Sequence, residues 1–143
     1  MIPPEKLNSI CRLEAIYDND RGIINITNNG FWSPWHVDRL FEQIDKIRTL
    51  HFYGSRPLLV LADHRDTLVQ SNDAMDSITR LTTNFYSSHD RVAVLVNSSL
   101  AKMQMRRVLP NNTHSIFISE SAAMLWLTAF DKPQRESDHS AKR

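Results

Sequence analysis

The sequence predicts an α/β domain in which one mixed, mostly parallel sheet is covered by helices. Two short segments near the start alternate apolar and polar residues, which is typical of a half-buried hairpin. Later segments are apolar throughout. This pattern is typical of strands in a parallel sheet, which are buried on both faces. Segments with helical spacing separate these strands. The predicted order is therefore β-β-α-β-α-β-α-β-α, a β-hairpin followed by alternating helices and strands.

The hairpin comes first in the chain. Its first strand, residues 11–17, places an apolar residue at every second position. Residues 18–22 follow as a turn in which Gly22 can adopt a positive φ. The alternation resumes over residues 23–27, so the two strands are expected to pair antiparallel.

The first helix begins at Ser33 and Pro34. Serine can accept a hydrogen bond from a free helical N–H, and proline is tolerated at the first helical position. Apolar residues then recur at helical spacing as far as Ile47, with charged residues on the opposite face. We expect this helix to end before Gly54.

Three strand–helix pairs complete the predicted domain. The strands are predicted at residues 57–62, 91–96 and 114–118. We expect these three strands to be parallel and joined by right-handed crossovers, with the hairpin adding an antiparallel strand. The helices are predicted at residues 71–87, 99–109 and 121–130.

A single domain accounts for most of the chain, from residue 10 to residue 130. Residues 1–9 are interpreted as an N-terminal extension. Residues 131–143 are almost entirely charged or polar, which predicts a disordered tail.

Composition excludes several classes of protein. The chain has 143 residues, of which 41% are hydrophobic, and this is sufficient for a core. Its single cysteine, Cys11, excludes an internal disulfide and a four-cysteine zinc site. A net charge of +1 argues against binding nucleic acid by charge alone. Without a long apolar run or a signal-peptide pattern, we expect a cytoplasmic protein of bacterial type.

Three local segments resemble the STAS domain of anti-sigma-factor antagonists, in its SpoIIAA-like branch. They are Leu58–Asp63 followed by Ser71 at a helix start, Asp90–Val96 leading into Asn97, and Ser115–Ala123. The resemblance implies a regulatory module whose serine, here Ser71, is phosphorylated by a partner kinase. It also implies an anti-sigma factor or a kinase-type regulator as partner. The family run Asp-Ser-Ser/Thr-Gly reads Gln-Ser-Asn-Asp here, over residues 70–73.

The carboxyl ends of the predicted strands form the expected recognition edge, since ligands of open α/β sheets bind there. We predict that a protein partner contacts Asp63, His64, Gln70, Asn72, Ser98, Ser99, Lys102 and Arg106. Charge supports this prediction, because residues 63–90 contain five aspartates and residues 91–119 four basic residues without an acid. Helix capping by the serines and an ordinary solvated face for the charged residues are the alternative explanations of the same residues.

An aromatic cluster at the start of the first helix suggests an alternative. Phe31, Trp32 and Trp35 could cover an apolar ligand pocket or touch a membrane surface, as other SpoIIAA-like proteins are thought to do. The alternative is that these residues serve the core or the helix start, as aromatic clusters mostly do.

The sequence offers little for catalysis. One histidine and two aspartates at residues 63–66 are too few for a metal site. No nucleophile elbow accompanies Ser71, and the three glycines form no phosphate loop.

We therefore expect a non-enzymatic module without a cofactor, metal or nucleic-acid partner. It would bind a protein partner, with phosphorylation at Ser71 as a switch; the alternative is a binder of an apolar small molecule or a membrane surface. The oligomeric state stays open.

Overall fold

The sheet begins with an antiparallel hairpin of β1 (Arg12–Asp18) and β2 (Ile23–Asn29). We describe it from a computed structural model, for residues 12–54, 56–67, 70–110 and 112–131. The turn between the strands contains Gly22 at φ 70°, so the predicted positive-φ glycine is observed. The predicted extension at 1–9, Cys11, and the predicted tail beyond residue 131 lie outside the described residues.

The remaining elements alternate as predicted. They are α1 (Pro34–His51), β3 (Leu59–Asp63), α2 (Asn72–Phe85), β4 (Arg91–Leu95), α3 (Ser99–Arg106), β5 (His114–Phe117) and α4 (Glu120–Asp131). The strands lie side by side in chain order, from β1 to β5.

The number of parallel strands differs from the sequence prediction. The second hairpin strand, β2, pairs parallel with β3, so four strands are parallel and β1 alone is antiparallel to its neighbour. Apolar residues on both faces of β2 explain this position, since Ile23 and Ile24 are fully buried. A strand buried on both faces belongs in the interior of a covered sheet rather than at its edge.

Helices α1, α2 and α3 cover one face of the sheet, and α4 covers the other. Alternate side chains of each strand reach opposite faces. In β3, Val60 and Ala62 pack beneath the three helices, while Leu59 and Leu61 pack beneath α4. The first of these two layers holds the candidate site.

Serine side chains cap the N-termini of α1, α2 and α3 by accepting hydrogen bonds from backbone N–H groups. Ser33 accepts from the His36 N–H, while the Ser33 N–H donates to His36 Nδ1 at 3.0 Å. Ser71 and Ser98 cap α2 and α3 in the same way, through the N–H groups of Ala74 and Ala101. At its other end α3 stops at Arg106, three residues before the predicted end, because residues 107–109 form a tighter turn.

Candidate functional site

A cavity of about 400 Å³ lies between the sheet and helices α1, α2 and α3. Most of its wall is apolar, and every element of this layer contributes to it. The apolar wall consists of Leu13, Ile26, Trp32, Leu40, Phe41, Ala62, Met75, Ile78, Val92, Val94, Val96, Ala101, Met105, Val108 and Leu109. Polar lining is contributed by His64, Thr67, Gln70, Thr82, Tyr86, Asn97, Gln104 and His114.

Small side chains and a loosely seated helix create this space. Ala62 on β3 and Ala101 on α3 both line the cavity, and each contributes only a methyl group to its wall. No residue of α3 is buried, so this helix covers the sheet without pressing into it. The exposed residues Asn97 and Gln104 belong to the wall, which places an opening of the cavity beside α3.

His64 stands at the carboxyl end of the sheet within a chain of hydrogen bonds. Its Nδ1 lies 3.1 Å from Thr67 Oγ1, and Thr67 Oγ1 donates to Asn28 Oδ1 at 2.5 Å. The Asn28 amide nitrogen donates in turn to the Asp63 carbonyl at 2.6 Å. These hydrogen bonds fix the imidazole at the carboxyl end of β3. Burial lowers the pKa of His64 to about 4.

Trp32 packs beside His64, with ring centroids 5.6 Å apart. The indole is 6% exposed, and its Nε1–H has no hydrogen-bond acceptor among the described residues. Gln70 fixes the backbone of this segment, since its Oε1 accepts from the Trp32 N–H at 2.6 Å and its Nε2 donates to the Gly30 carbonyl. The Gln70 side chain thereby connects the loop before α2 to the segment before α1.

A second polar group lies at the opposite end of the cavity. The rings of Tyr86 and His114 meet edge to face at 5.4 Å, and His114 Nδ1 is 2.7 Å from Thr113 Oγ1. Burial lowers the pKa of His114 to about 4 and raises the pKa of Tyr86. Both side chains are therefore neutral at physiological pH.

Most of the predicted partner residues lie outside the cavity on the same edge. Asn72, Ser98 and Ser99 are exposed there, and Lys102 is half-buried. The structure places Arg106 elsewhere, at the last residue of α3 in a surface depression beside His114, because α3 runs away from this edge. The Asp63 carboxylate binds Arg65, which also reaches Glu120 at 3.3 Å. Hydrogen bonds from Arg65 hold the pKa of Asp63 below its ordinary value. His64 and Gln70 are the two predicted partner residues in the cavity wall.

The predicted aromatic cluster separates into three environments. Trp32 lines the cavity, whereas Phe31 is 66% exposed. Trp35 lies in a polar depression between β1 and α1, with the Arg39 guanidinium over its ring. Trp32 is therefore the member of the cluster that the structure places at the candidate ligand site.

The predicted polar residues do not come together in a catalytic or metal-binding arrangement within the described residues. Within the described residues, no cluster of three histidine, cysteine or acidic side chains could hold a metal ion. His64 contacts Thr67 and Asn28, while Ser71 Oγ is occupied in capping α2. The part of the chain that the structure describes also has no helix suited in length and apolarity to crossing a membrane.

Comparison with solved structures identifies the fold. An uncharacterised protein of the DUF3478 family from Shewanella loihica, described as having a SpoIIAA-like fold, superposes with a TM-score of 0.61. The match covers 82% of this chain and 93% of that chain, at 14% sequence identity. This chain has a SpoIIAA-like fold. No family model matches its sequence, and no curated protein matches it either.

The SpoIIAA-like fold predicted from the three local segments is thus confirmed, together with its mixed sheet. Sequence reasoning missed the far end of the cavity, formed by Thr82, Tyr86 and His114. The available signal for His114 was a histidine at the first position of a predicted strand. No local sequence pattern indicates the contact between His114 and Tyr86, because the two residues are 28 positions apart in the chain.

The neutral histidines predict a loss of stability in mild acid. In this SpoIIAA-like fold His114 has a pKa of about 4, below its ordinary value of 6.5, so the unfolded chain binds the proton more readily. Stability is therefore retained above about pH 6.5 and lost as the pH falls toward 4. For His114 we expect a loss of roughly 2–3 kcal/mol, measured by urea unfolding at about pH 7 and 4.5.

Two variants check the origin of this loss. His114→Gln should make the pH profile of the unfolding free energy less steep, and the remaining slope comes in part from His64, whose pKa burial also lowers to about 4. The same change at the exposed His89 should leave the profile unchanged. The groups beside His114 are Tyr86, Thr113 and, in an adjoining surface depression, Arg106. A profile equally steep in His114→Gln and wild type would contradict the assignment.

Proposed function

We propose that this chain binds an apolar small molecule in the cavity beneath α1, α2 and α3, without carrying out chemistry on it. The single observation that supports the proposal is the cavity itself, with its volume of about 400 Å³ and its mostly apolar wall. Ligand pockets commonly fall in the range of about 300–1,000 Å³ and combine an apolar lining with a few polar groups.

Packing energetics also favour a binding role over a packing defect. Protein interiors are filled to crystal-like density, and voids much larger than a water molecule are few. An apolar guest that leaves water for this space gains about 25 cal/mol for each Å² that it buries. The half-buried wall residues Met75 and Met105 have flexible side chains, which can adjust to the shape of such a guest.

Tryptophan fluorescence can report binding at the cavity. We expect the uncharged dye N-phenyl-1-naphthylamine to quench the protein's fluorescence, and Trp32→Phe to remove most of this quenching. Trp35→Phe and Trp126→Phe are matched controls, since Trp35 lies in a different depression and Trp126 packs on the α4 face. Quenching that survives Trp32→Phe unchanged would place the dye elsewhere. Native mass spectrometry of freshly purified protein would detect a ligand retained from the cell.

A regulatory module that binds a protein partner is the second candidate function. The observation that favours it is the exposed position of Ser71 at the start of α2, where the helical N–H groups stabilise negative charge. Phosphorylation there would add charge to a recognition edge that contains Asn72, Ser98 and Ser99. An anti-sigma factor or a kinase-type regulator is the partner that the resemblance to STAS domains implies.

Substitution of Ser71 by aspartate tests the second function. Aspartate also caps helices, so Ser71→Asp should keep the unfolding free energy within about 0.5 kcal/mol while adding a negative charge. We expect a pull-down from native lysate to gain or lose a partner with this variant. Ser98→Asp, the same change at the cap of α3, is the control. Identical partners for wild type and Ser71→Asp would leave Ser71 as a helix cap alone.

A further inference from the structure

The cavity wall carries no formal charge in the part of the chain that the structure describes. None of its residues is an aspartate, glutamate, lysine or arginine. Moving an ion into an apolar site without a partner charge is costly, far more so than moving a hydroxyl group. The wall therefore discriminates against fatty acid carboxylates, phosphate esters and ammonium ions, although these carry apolar chains as well.

Hydrogen bonding around His64 determines which of its ring nitrogens carries the proton. Asn28 Oδ1 can only accept, so the Thr67 hydroxyl gives its proton to Asn28 across 2.5 Å. Thr67 Oγ1 must then accept from His64 Nδ1–H across 3.1 Å. The Asn28 amide nitrogen has two protons and gives one to the Asp63 carbonyl at 2.6 Å. Its contact with His64 Nδ1, at 3.3 Å, is longer than the contact of Thr67 Oγ1 with the same nitrogen, so we assign the tautomer from the shorter Thr67 contact.

With its proton on Nδ1, neutral His64 has a lone pair on Nε2. This nitrogen makes no hydrogen bond to any described residue. His64 lines the cavity, so Nε2 is available as an acceptor for a ligand. A ligand that satisfies it must bring a proton of its own, as a hydroxyl or N–H group does and a carboxylate does not.

The neighbouring ring has the opposite requirement. Trp32 Nε1–H is a buried donor without an acceptor among the described residues, and its ring packs against that of His64. A buried polar group without a partner costs about 1–3 kcal/mol. A hydroxyl oxygen both donates and accepts, and can therefore pair with both rings after a small adjustment of the indole.

From these observations we infer that the ligand is an uncharged apolar molecule with a hydroxyl group, which donates to His64 Nε2 at the carboxyl end of the sheet. This inference rests on the proposed binding function and adds the chemical class of the ligand. The apolar part of the ligand extends along the sheet face toward Tyr86 and His114. These two groups are neutral as well, since burial lowers the pKa of His114 to about 4 and raises that of Tyr86.

A series of four ligands, each with an unbranched chain of ten carbons, tests the inference. Decan-1-ol, methyl decyl ether, decanoate and decylammonium have the same chain and differ in charge and in the ability to donate. Isothermal titration at about pH 7 should show decan-1-ol binding at least tenfold more tightly than decanoate or decylammonium. The ether should bind several-fold more weakly than the alcohol, because it has no proton for His64.

Variants of His64 connect this preference to one atom. His64→Phe removes the acceptor and should lower the affinity for decan-1-ol to that of the ether. His64→Gln restores a neutral acceptor and should recover part of the difference, provided that both variants remain folded by circular dichroism. His89→Phe, at an exposed turn position, is the control and should bind the series as wild type does.

The outcomes separate the inference from the proposed function. If none of the four ligands binds, the proposed binding function itself is overturned. If decanoate or decylammonium binds as tightly as decan-1-ol, the cavity binds apolar chains but the inferred chemical class is wrong. If the preference for the alcohol over the ether survives in His64→Phe, the hydroxyl group does not donate to His64.

Discussion

Replacing Ala62 with leucine should fill part of the cavity, stabilise the protein and weaken ligand binding. Ala62 lies on β3, is 3% exposed, and has its methyl group in the cavity wall. A larger apolar side chain there occupies open space instead of displacing neighbours. Filling a cavity commonly raises the unfolding free energy by about 0.5–2 kcal/mol. We expect that gain together with at least a tenfold loss of affinity for decan-1-ol.

The same substitution on the adjacent strand is a matched control. Ala93 lies on β4, is fully buried, and packs on the opposite face beneath α4. Leucine at this position must displace Leu127 or its neighbours, and overpacking of this kind costs about 1–3 kcal/mol. The two alanines are thus both buried, and the predicted effects of the substitution on stability are opposite.

Urea unfolding of both variants distinguishes a cavity from a filled core. Ala62→Leu should shift the midpoint to higher urea, and Ala93→Leu should shift it to lower urea. Equal destabilisation by both changes would mean that the space beside Ala62 is already filled, which would contradict the proposed binding function. Stabilisation by Ala62→Leu without loss of ligand affinity would place the ligand outside the cavity.

The alternation of strands and helices could be predicted from the sequence because local patterns specify it. Ser33 followed by Pro34 marked the start of α1, and the apolar runs before Asp63 and after Asp90 marked β3 and β4. The position of β2 inside the sheet was missed, since the alternating pattern of a hairpin suggests two strands with one solvated face. Burial of Ile23 on the α4 face shows that the second strand is covered on both sides.

The cavity could not be predicted from the same patterns. Ala101 and Met105 have the spacing of an ordinary buried helical face, and a pattern of apolar residues does not reveal how closely they approach the sheet. His64 was predicted at a partner-binding edge, where its sequence position places it. Its contact with Trp32 joins residues 32 apart and depends on how α1 and the β3–α2 loop pack together. Tertiary packing therefore decides the site, while local sequence decides the elements.

Replacing Asp90 with alanine should be among the most destabilising changes in the described part of the chain. The carboxylate is 5% exposed and accepts two backbone hydrogen bonds, from the Leu58 N–H at 2.9 Å and the Ser87 N–H at 3.0 Å. Leu58 directly precedes β3, and Asp90 directly precedes β4, so this side chain joins the starts of two central strands. Its removal leaves both N–H groups without their acceptor, at about 1–3 kcal/mol for each buried group.

A loss of about 3 kcal/mol lowers the melting temperature by roughly 6–12 °C in a domain of this size. Asp90→Asn should lie between wild type and Asp90→Ala, because its amide oxygen replaces one acceptor while its NH₂ group faces the other donor. Asp38→Ala removes an exposed carboxylate from α1 and should change stability by less than about 0.5 kcal/mol. Equal melting temperatures for Asp90→Ala and Asp38→Ala would show that the Asp90 carboxylate does not join the two strands. If the carboxylate does join the strands, the melting temperature should fall from wild type to Asp90→Asn and again to Asp90→Ala. Each step removes one acceptor, and the two N–H groups belong to separate segments and cannot pair with each other.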